Sequence, residues 1–158
     1  VDPPTSSDQR LVSPAVVLPT DGTALTLQFW NWQQMEDSFS GCWDGGLVEI
    51  STDDGSTWTH LPTTVMLTDP YDGPVTGLSN LDGWCGDPQD WLRSVVDIAA
   101  YAGQTVRFRF RLGSDTSVSR EGWYVDDVVV QSCVTGEPPF FADDFESGTT
   151  DAWSVVVP

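Results

Sequence analysis

The sequence has no lysine, one histidine (His60) and six arginines against 24 acidic residues, a formal net charge of −18 at pH 7. Polyanions need cationic neutralisation, so nucleic acid and anionic membrane surfaces are excluded as partners. No apolar run approaches the roughly 18 residues of a membrane span. No charged-then-apolar signal segment opens the chain, which we read as a soluble mature fragment or an excised domain. The three cysteines, Cys42, Cys85 and Cys133, show no CxxC or Cys/His spacing, which removes zinc. G-x-S-x-G, H-E-x-x-H, a phosphate-cradling glycine loop and an EF-hand loop are all missing. His60 has no evident Ser or Cys partner nearby, so it reads as a surface or packed side chain rather than a general base. With 24 acids some close carboxylate pair is inevitable, and such a pair says nothing about glycoside hydrolysis. The expectation is a chain that is not an enzyme.

What is present is period-two alternation. Val106, Phe108, Phe110 and Leu112 alternate with Arg107, Arg109 and Arg111, the pattern of a half-buried strand. Trp123 to Val130 is rich in aromatic and β-branched residues yet holds Asp126 and Asp127 side by side, where strand propensity disfavours them. They need water at a strand end, a cation, or an Arg partner, because an unpaired buried carboxylate is costly. The polar stretch between the two runs ends in Gly122, so we read two antiparallel strands joined by a long loop. Leu25, Leu27 and Phe29 share a face, with Thr26, Gln28, Trp30 and Trp32 on the other. Residues 47–51 and 91–98 read as further strands, and DIAAYAG gives at most one helical turn.

Ser51 to Trp58 fits the Asp-box pattern S-x-D-x-G-x-T-W, a turn device. It resembles the hairpin turns of sialidase propellers, but it occurs once, which disfavours a propeller. Residues 1–10 read as a loose lead-in, 33–46 as a loop, and 62–90 as irregular structure. Cys42 and Cys85 lie in similar Gly/Trp-flanked loops, GCWDGG and GWCGDP, and are the preferred disulfide; Cys133 would be free or pair outside the chain. Short strands, Gly/Pro turns and no helical period indicate an all-β sandwich of two antiparallel sheets. We divide it into a sandwich over 1–134 and a linker plus tail strand over 135–158, the tail completing this domain or a neighbouring one.

In order, SPAVVLP, LQFWNWQQMED, DGGLVEISTDDGSTW, VDIAAYAGQTVRFRFRLGSD and EGWYVDDVVV cover most of residues 11–131. Together they resemble the MAM-type jelly-roll domain attached to secreted bacterial metalloproteases of the immune inhibitor A kind. The resemblance implies a non-catalytic jelly roll, secreted by a bacterium, beside a protease or repeat domain, with a structural calcium in related jelly rolls. In that family D-F-E-S-G followed by Trp usually opens the domain; here DDFESGTTDAW closes the chain, at Asp143 to Trp153. The tail is then the first strand of a following repeat, a strand that folds back into the vacant place, or one exchanged with a neighbouring molecule.

With the resemblance, the paired carboxylates point to Asp126 and Glu146 as calcium ligands, with Asp127, Asp115 and Asp44 as second candidates. The opposing reading is that Asp126 and Asp127 pair with Arg107, Arg109 or Arg111. Eight tryptophans are many for this length, and Trp30, Trp32, Trp43, Trp84 and Trp91 fall outside recognisable turn and core positions. Flat rings with Asp and Asn side chains suit a sugar, which makes a carbohydrate-binding module the alternative to an accessory domain that mediates adhesion, substrate docking or domain packing, through a cell-surface protein among other partners.

Overall fold

Period-two alternation builds two facing sheets. The computed structural model describes residues 6–20, 24–132, 139–143, 145–146 and 153–156, so Cys133 lies outside the described residues. The strands are β1 (Ser7–Val12), β2 (Val16–Val17), β3 (Thr26–Gln34), β4 (Asp37–Ser38), β5 (Gly41–Cys42), β6 (Gly45–Ser51), β7 (Thr59–His60) and β8 (Met66–Thr68). They continue with β9 (Gly73–Val75), β10 (Leu81–Gly83), β11 (Leu92–Asp97), β12 (Thr105–Ser114), β13 (Gly122–Gln131), β14 (Phe141–Asp143) and β15 (Ser154–Val156). One sheet runs β15-β1-β12-β6-β7, with β2 also on β12, and the other β14-β13-β3-β11-β8. A smaller patch runs β10-β9-β5-β4. Among the described residues helix occurs only as single 3₁₀ turns, at Thr63–Val65, Thr76–Leu78 and Ala99–Tyr101. The fold is an all-β sandwich of antiparallel sheets, as the alternation predicts, and a jelly roll, as the resemblance implies.

The core lies where the alternation puts it. Val106, Phe108 and Phe110 of β12 are buried, as are Leu27 and Phe29 of β3. Phe29 meets Phe110 edge-on across the sandwich, ring centroids 5.0 Å apart. Each such side chain contributes about 1.5–3 kcal/mol by leaving water. On the outward face of β12 the arginines find acids of their own sheet and its turns. Arg109 reaches Glu49 at 2.5 Å, Arg111 reaches Asp8 at 2.7 Å, and Arg107 reaches Asp54 at 2.6 Å. This overturns the opposing reading, in which Asp126 and Asp127 pair with Arg107, Arg109 or Arg111. Strands β12 and β13 are consecutive in sequence but belong to opposite sheets, so their joining loop crosses between layers instead of closing a pair.

The Asp126-Asp127 pair has a backbone explanation. Against β3, Asp126 lies opposite Trp30 and Val129 opposite Gln28, so β13 carries one extra residue there. Asp127 takes that place with φ +50, exposed, and its N–H donates to Asp126 Oδ1 at 2.8 Å. This bulge shifts the phase. Trp123 and Val125 pack on the core before it, and Val128 and Val130 are buried after it.

Three loop readings need correction. Ser7 to Arg10 is part of β1, held to β12 by register and by Asp8. Within 33–46, β3 runs on to Gln34 and β4 and β5 form a small hairpin. Within 62–90 lie β8, β9 and β10, and Tyr71 and Trp84 enter the core. The Asp box forms as read: Asp53 accepts from the Thr57 N–H and hydroxyl at 2.8 and 2.6 Å, and Gly55 takes φ +90. The Cys42–Cys85 disulfide is present. The tail folds onto its own chain, β14 on β13 and β15 on β1, which covers an edge of each sheet. Trp153 anchors it, buried among Phe110, Phe141 and Phe145.

Two outcomes follow from this packing. Phe110→Ala should cost about 3–5 kcal/mol in urea unfolding; a loss under 1 kcal/mol would contradict the inter-sheet contact. Hydrogen bonding to Arg111 and Arg10, partly opposed by burial, holds the Asp8 carboxyl down at about 2 from its ordinary 3.8. A lowered folded pKa stabilises above the unfolded value and loses that contribution as pH falls. Asp8→Asn should therefore be less stable than the parent at neutral pH, the gap closing between pH 3.8 and about 2; equal pH profiles would exclude the pairing.

Candidate functional site

Three carboxylates converge where β3, the β5–β6 link and β12 end. Past Gln34, Met35 bridges to Gly86. The Glu36 carbonyl accepts from the Trp43 and Asp44 N–H groups at 2.9 and 3.1 Å. That closes the β4–β5 hairpin, and the disulfide ties its second strand to Cys85. Asp44 follows the hairpin and is buried, while Asp115 is the first residue past β12. The Asp115 N–H donates to Asp44 Oδ1 at 2.7 Å, and Ser117 donates to Asp115 Oδ1 from its N–H at 2.7 Å. One carboxylate oxygen from each of Glu36, Asp44 and Asp115 lies within 4.8 Å of the others.

Among the described residues this trio is the group of metal-ligating side chains so arranged. It unites Asp44 and Asp115, two of the three second candidates, and does not include the third, Asp127, exposed in the β13 bulge, or the leading pair, Asp126 beside that bulge and Glu146, exposed in the turn after β14. Glu36 lies in the 33–46 stretch expected as a loop and is not among the candidate ligands the sequence offers. Its signal was its place in one short loop with Asp44 and a disulfide cysteine, which becomes a cluster only once the hairpin register is known.

Behind the trio lies a buried polar lattice. The inward face of β3 continues past Phe29 into Asn31 and Gln33, both buried. Asn31 Nδ2 donates to Asp69 Oδ2 at 3.0 Å and to Gln33 Oε1 at 3.1 Å. Gln33 Nε2 donates to Asp72 Oδ2 at 3.0 Å, and the Cys85 N–H donates to the same oxygen at 2.9 Å. Trp123 Nε1 donates to Asn31 Oδ1 at 2.5 Å. Burial pushes the Asp72 carboxyl up, against these two donors and with Asp69 and Asp37 adding to the rise. The lattice holds 69–72 and 85 against β3. It was foreseeable, since continuing the Leu25-Leu27-Phe29 period puts positions 31 and 33 inward.

The predicted tryptophans divide. Trp84 is fully buried, edge-on to Phe29 and Tyr71, and has no face to offer a ligand. Trp43 and Trp91 are each largely exposed, 43% and 42%. Trp30 and Trp32 point outward from β3, and register sets Tyr124 of β13 opposite Trp32 and Arg93 of β11 opposite Trp30. Trp32 and Tyr124 pack edge-on at 5.3 Å. Beside Trp30 lies a depression of about 290 Å³, lined also by Gln28, Arg93, Asp127 and Val129. The single histidine is packed, His60 stacking on Tyr71 at 5.4 Å and meeting the Asp82 carbonyl at 2.8 Å.

The family model described as "Immune inhibitor A-like, MAM domain" matches residues 9–156, the tail included. Bacillopeptidase F of Bacillus subtilis (strain 168) is 31% identical over 132 residues, 84% of this chain and 8% of that protein. Pre-pro-metalloprotease PrtV of Vibrio cholerae serotype O1 (strain M66-2) is 32% identical over 108 residues, 68% of this chain and 10% of that protein. The chain thus spans a tenth or less of these relatives. With a sandwich of this topology and a match across nearly its whole length, the chain belongs to the immune inhibitor A-like MAM domain family.

Proposed function

We propose that this domain is a non-catalytic accessory module of a secreted bacterial protein, adjoining a protease domain and docking substrate or a cell-surface partner. One observation carries the reading: 84% of this chain matches 8% of a much longer protein named as a peptidase. A segment that small is an appendage to the rest. The packed position of His60 supports a non-catalytic role, and the Cys42–Cys85 disulfide supports an oxidising, extracellular setting.

Calcium is the cation the site would take, with Glu36, Asp44 and Asp115 as ligands. The donor set fits. Calcium–oxygen distances of about 2.3–2.6 Å place ligand oxygens up to roughly 5 Å apart, and these oxygens lie within 4.8 Å of one another. Bound there, the ion would neutralise three converging carboxylates and tie the exits of β3 and β12 to the β5–β6 link. Millimolar calcium should raise the melting temperature by several degrees, as a ligand bound only to the folded state does. Glu36→Gln with Asp115→Asn should abolish the rise, and an identical melt with calcium and with chelator would overturn the assignment.

A second reading, carbohydrate binding, is favoured by the outward cluster of Trp30, Trp32 and Tyr124, because exposed rings on one sheet face mark interaction surfaces. Rings stack on sugar faces while Gln28, Arg93 and Asp127 meet hydroxyls. Polysaccharide pull-down should retain the chain and Trp30→Ala should release it. Retention of no glycan by the parent chain would leave only the accessory reading.

A further inference from the structure

Cations are scarce in this chain, and most of them gather in one place. Of its six arginines, Arg10, Arg107, Arg109 and Arg111 sit on the outward face of β1 and β12, where register sets Arg10 opposite Arg111. Their partners are three carboxylates. Asp8 is shared by Arg10 and Arg111 at 2.5 and 2.7 Å, Glu49 by Arg109 and Arg111 at 2.5 and 3.4 Å, and Asp54 meets Arg107 at 2.6 Å. Four guanidinium groups meet three carboxylates here, with Asp53 next along the Asp-box turn, so this face gathers most of the cations of a chain of net charge −18.

The patch is also concave. A depression of about 370 Å³ opens between Arg10, Arg107 and Arg109, walled by Val12 and Trp58, with Asp54 at its edge. Asp54 is held loosely: it occupies the Asp-box turn with φ +59, its side chain is 79% exposed, and its ion pair is through Arg107 Nε alone. Exposed ion pairs are weak. Arg107 is placed independently of Asp54, because its Nη1 donates to the Ser13 carbonyl at 3.0 Å. Burial bears against the charge of Arg109, the hydrogen bond and opposite charge of Glu49 oppose it, and the like charges of Arg10 and Arg111 act with burial.

We infer that this cleft binds a single carboxylate of a polypeptide, held by the Arg107 fork in place of Asp54, its built-in competitor, while Arg109, whose Nε and Nη2 already meet Glu49, adds positive charge beside it. The fork of a guanidinium matches a planar carboxylate with two parallel hydrogen bonds. A polyanion is disfavoured, since beyond about one Debye length, roughly 8 Å at physiological salt, the acidic body repels it. An acidic sugar is disfavoured too, because one face of the Trp58 ring already carries the Arg109 guanidinium at 4.3 Å. The remaining wall, Val12, suits an aliphatic neighbour of the carboxylate. This face belongs to the opposite sheet from Trp30, and nothing in the inference depends on calcium or sugar.

The test is a side-chain NMR titration of the Arg107 and Arg109 Nε–H signals at low salt. The probes are acetyl-tetraalanine as free acid, its C-terminal amide, an acetylated and amidated alanine peptide with one internal glutamate, and glucuronate. Saturable shifts with the free acid or the glutamate peptide, and none with the uncharged amide, are expected; which of the two acts shows whether the carboxylate is terminal or side-chain. Arg107→Gln should weaken binding at least five-fold. Asp54→Asn, which touches only an exposed pair, should tighten it about three-fold, an effect no purely structural ion pair would give. Equal response to acid and amide, no response to any peptide, response to glucuronate alone, or unchanged affinity in Asp54→Asn would each overturn the inference.

Discussion

The edge-on meeting of Phe29 with Phe110 is the constraint on which the rest of the domain depends. These rings sit on the middle strands of their sheets, so their contact sets which faces of β3 and β12 turn inward. A slip of one residue in either strand would send every inward side chain to solvent. Trp84 and Trp123 extend the contact on one side and Trp153 on the other, so the loop carrying the disulfide and the C-terminal tail both pack on one aromatic centre. Close approach is needed for this. A Cβ on Gly46 would stand 2.6 Å from the Trp123 ring, which only a glycine there avoids.

Much of this architecture was legible because it is local. The alternation of Val106 to Arg111, the Asp-box turn and the paired flanks of Cys42 and Cys85 each carry their explanation within a few residues. Partner choice was not legible. Nothing in Val106 to Val130 says that its two strands enter opposite sheets, since that depends on which distant strands offer hydrogen-bonding edges. The same blindness hid the acid trio: Glu36, Asp44 and Asp115 come from three strand ends and meet only through sheet order.

The Asp126-Asp127 pair teaches a narrower lesson. Two acids inside an apolar strand invited a ligand or an ion pair; what the register shows is that Asp127 takes the extra place of a bulge. Asp tolerates the left-handed region better than the valines around it, and with one residue taken out of the alternation Val125 and Val128 both face the core. Trp30 and Trp84 show the opposite failure: one residue type, read alike, ended on the surface and in the core. Composition cannot separate them; for Trp30 the phase of β3 could, while Trp84 lies in a loop whose path the lattice of Asn31, Gln33, Asp69 and Asp72 decides.

Because the core claims only alternate residues, the outward positions of the two sheets were free to diverge, and they did. The outer face of β3 and β13 is aromatic, through Trp30, Trp32 and Tyr124, whereas that of β12 is a ladder of guanidinium groups. The aromatic pattern is not needed to close the sandwich, since an outward Thr at those places would suit the strand, whereas Arg109 and Arg111 also neutralise the buried carboxylate of Glu49. Concentrating four of six arginines on one outward face leaves the charged groups elsewhere almost all acidic, so the long-range field repels anions, and the proposed cleft would accept one only at short range. Such a distribution lets geometry rather than diffusional steering select a partner.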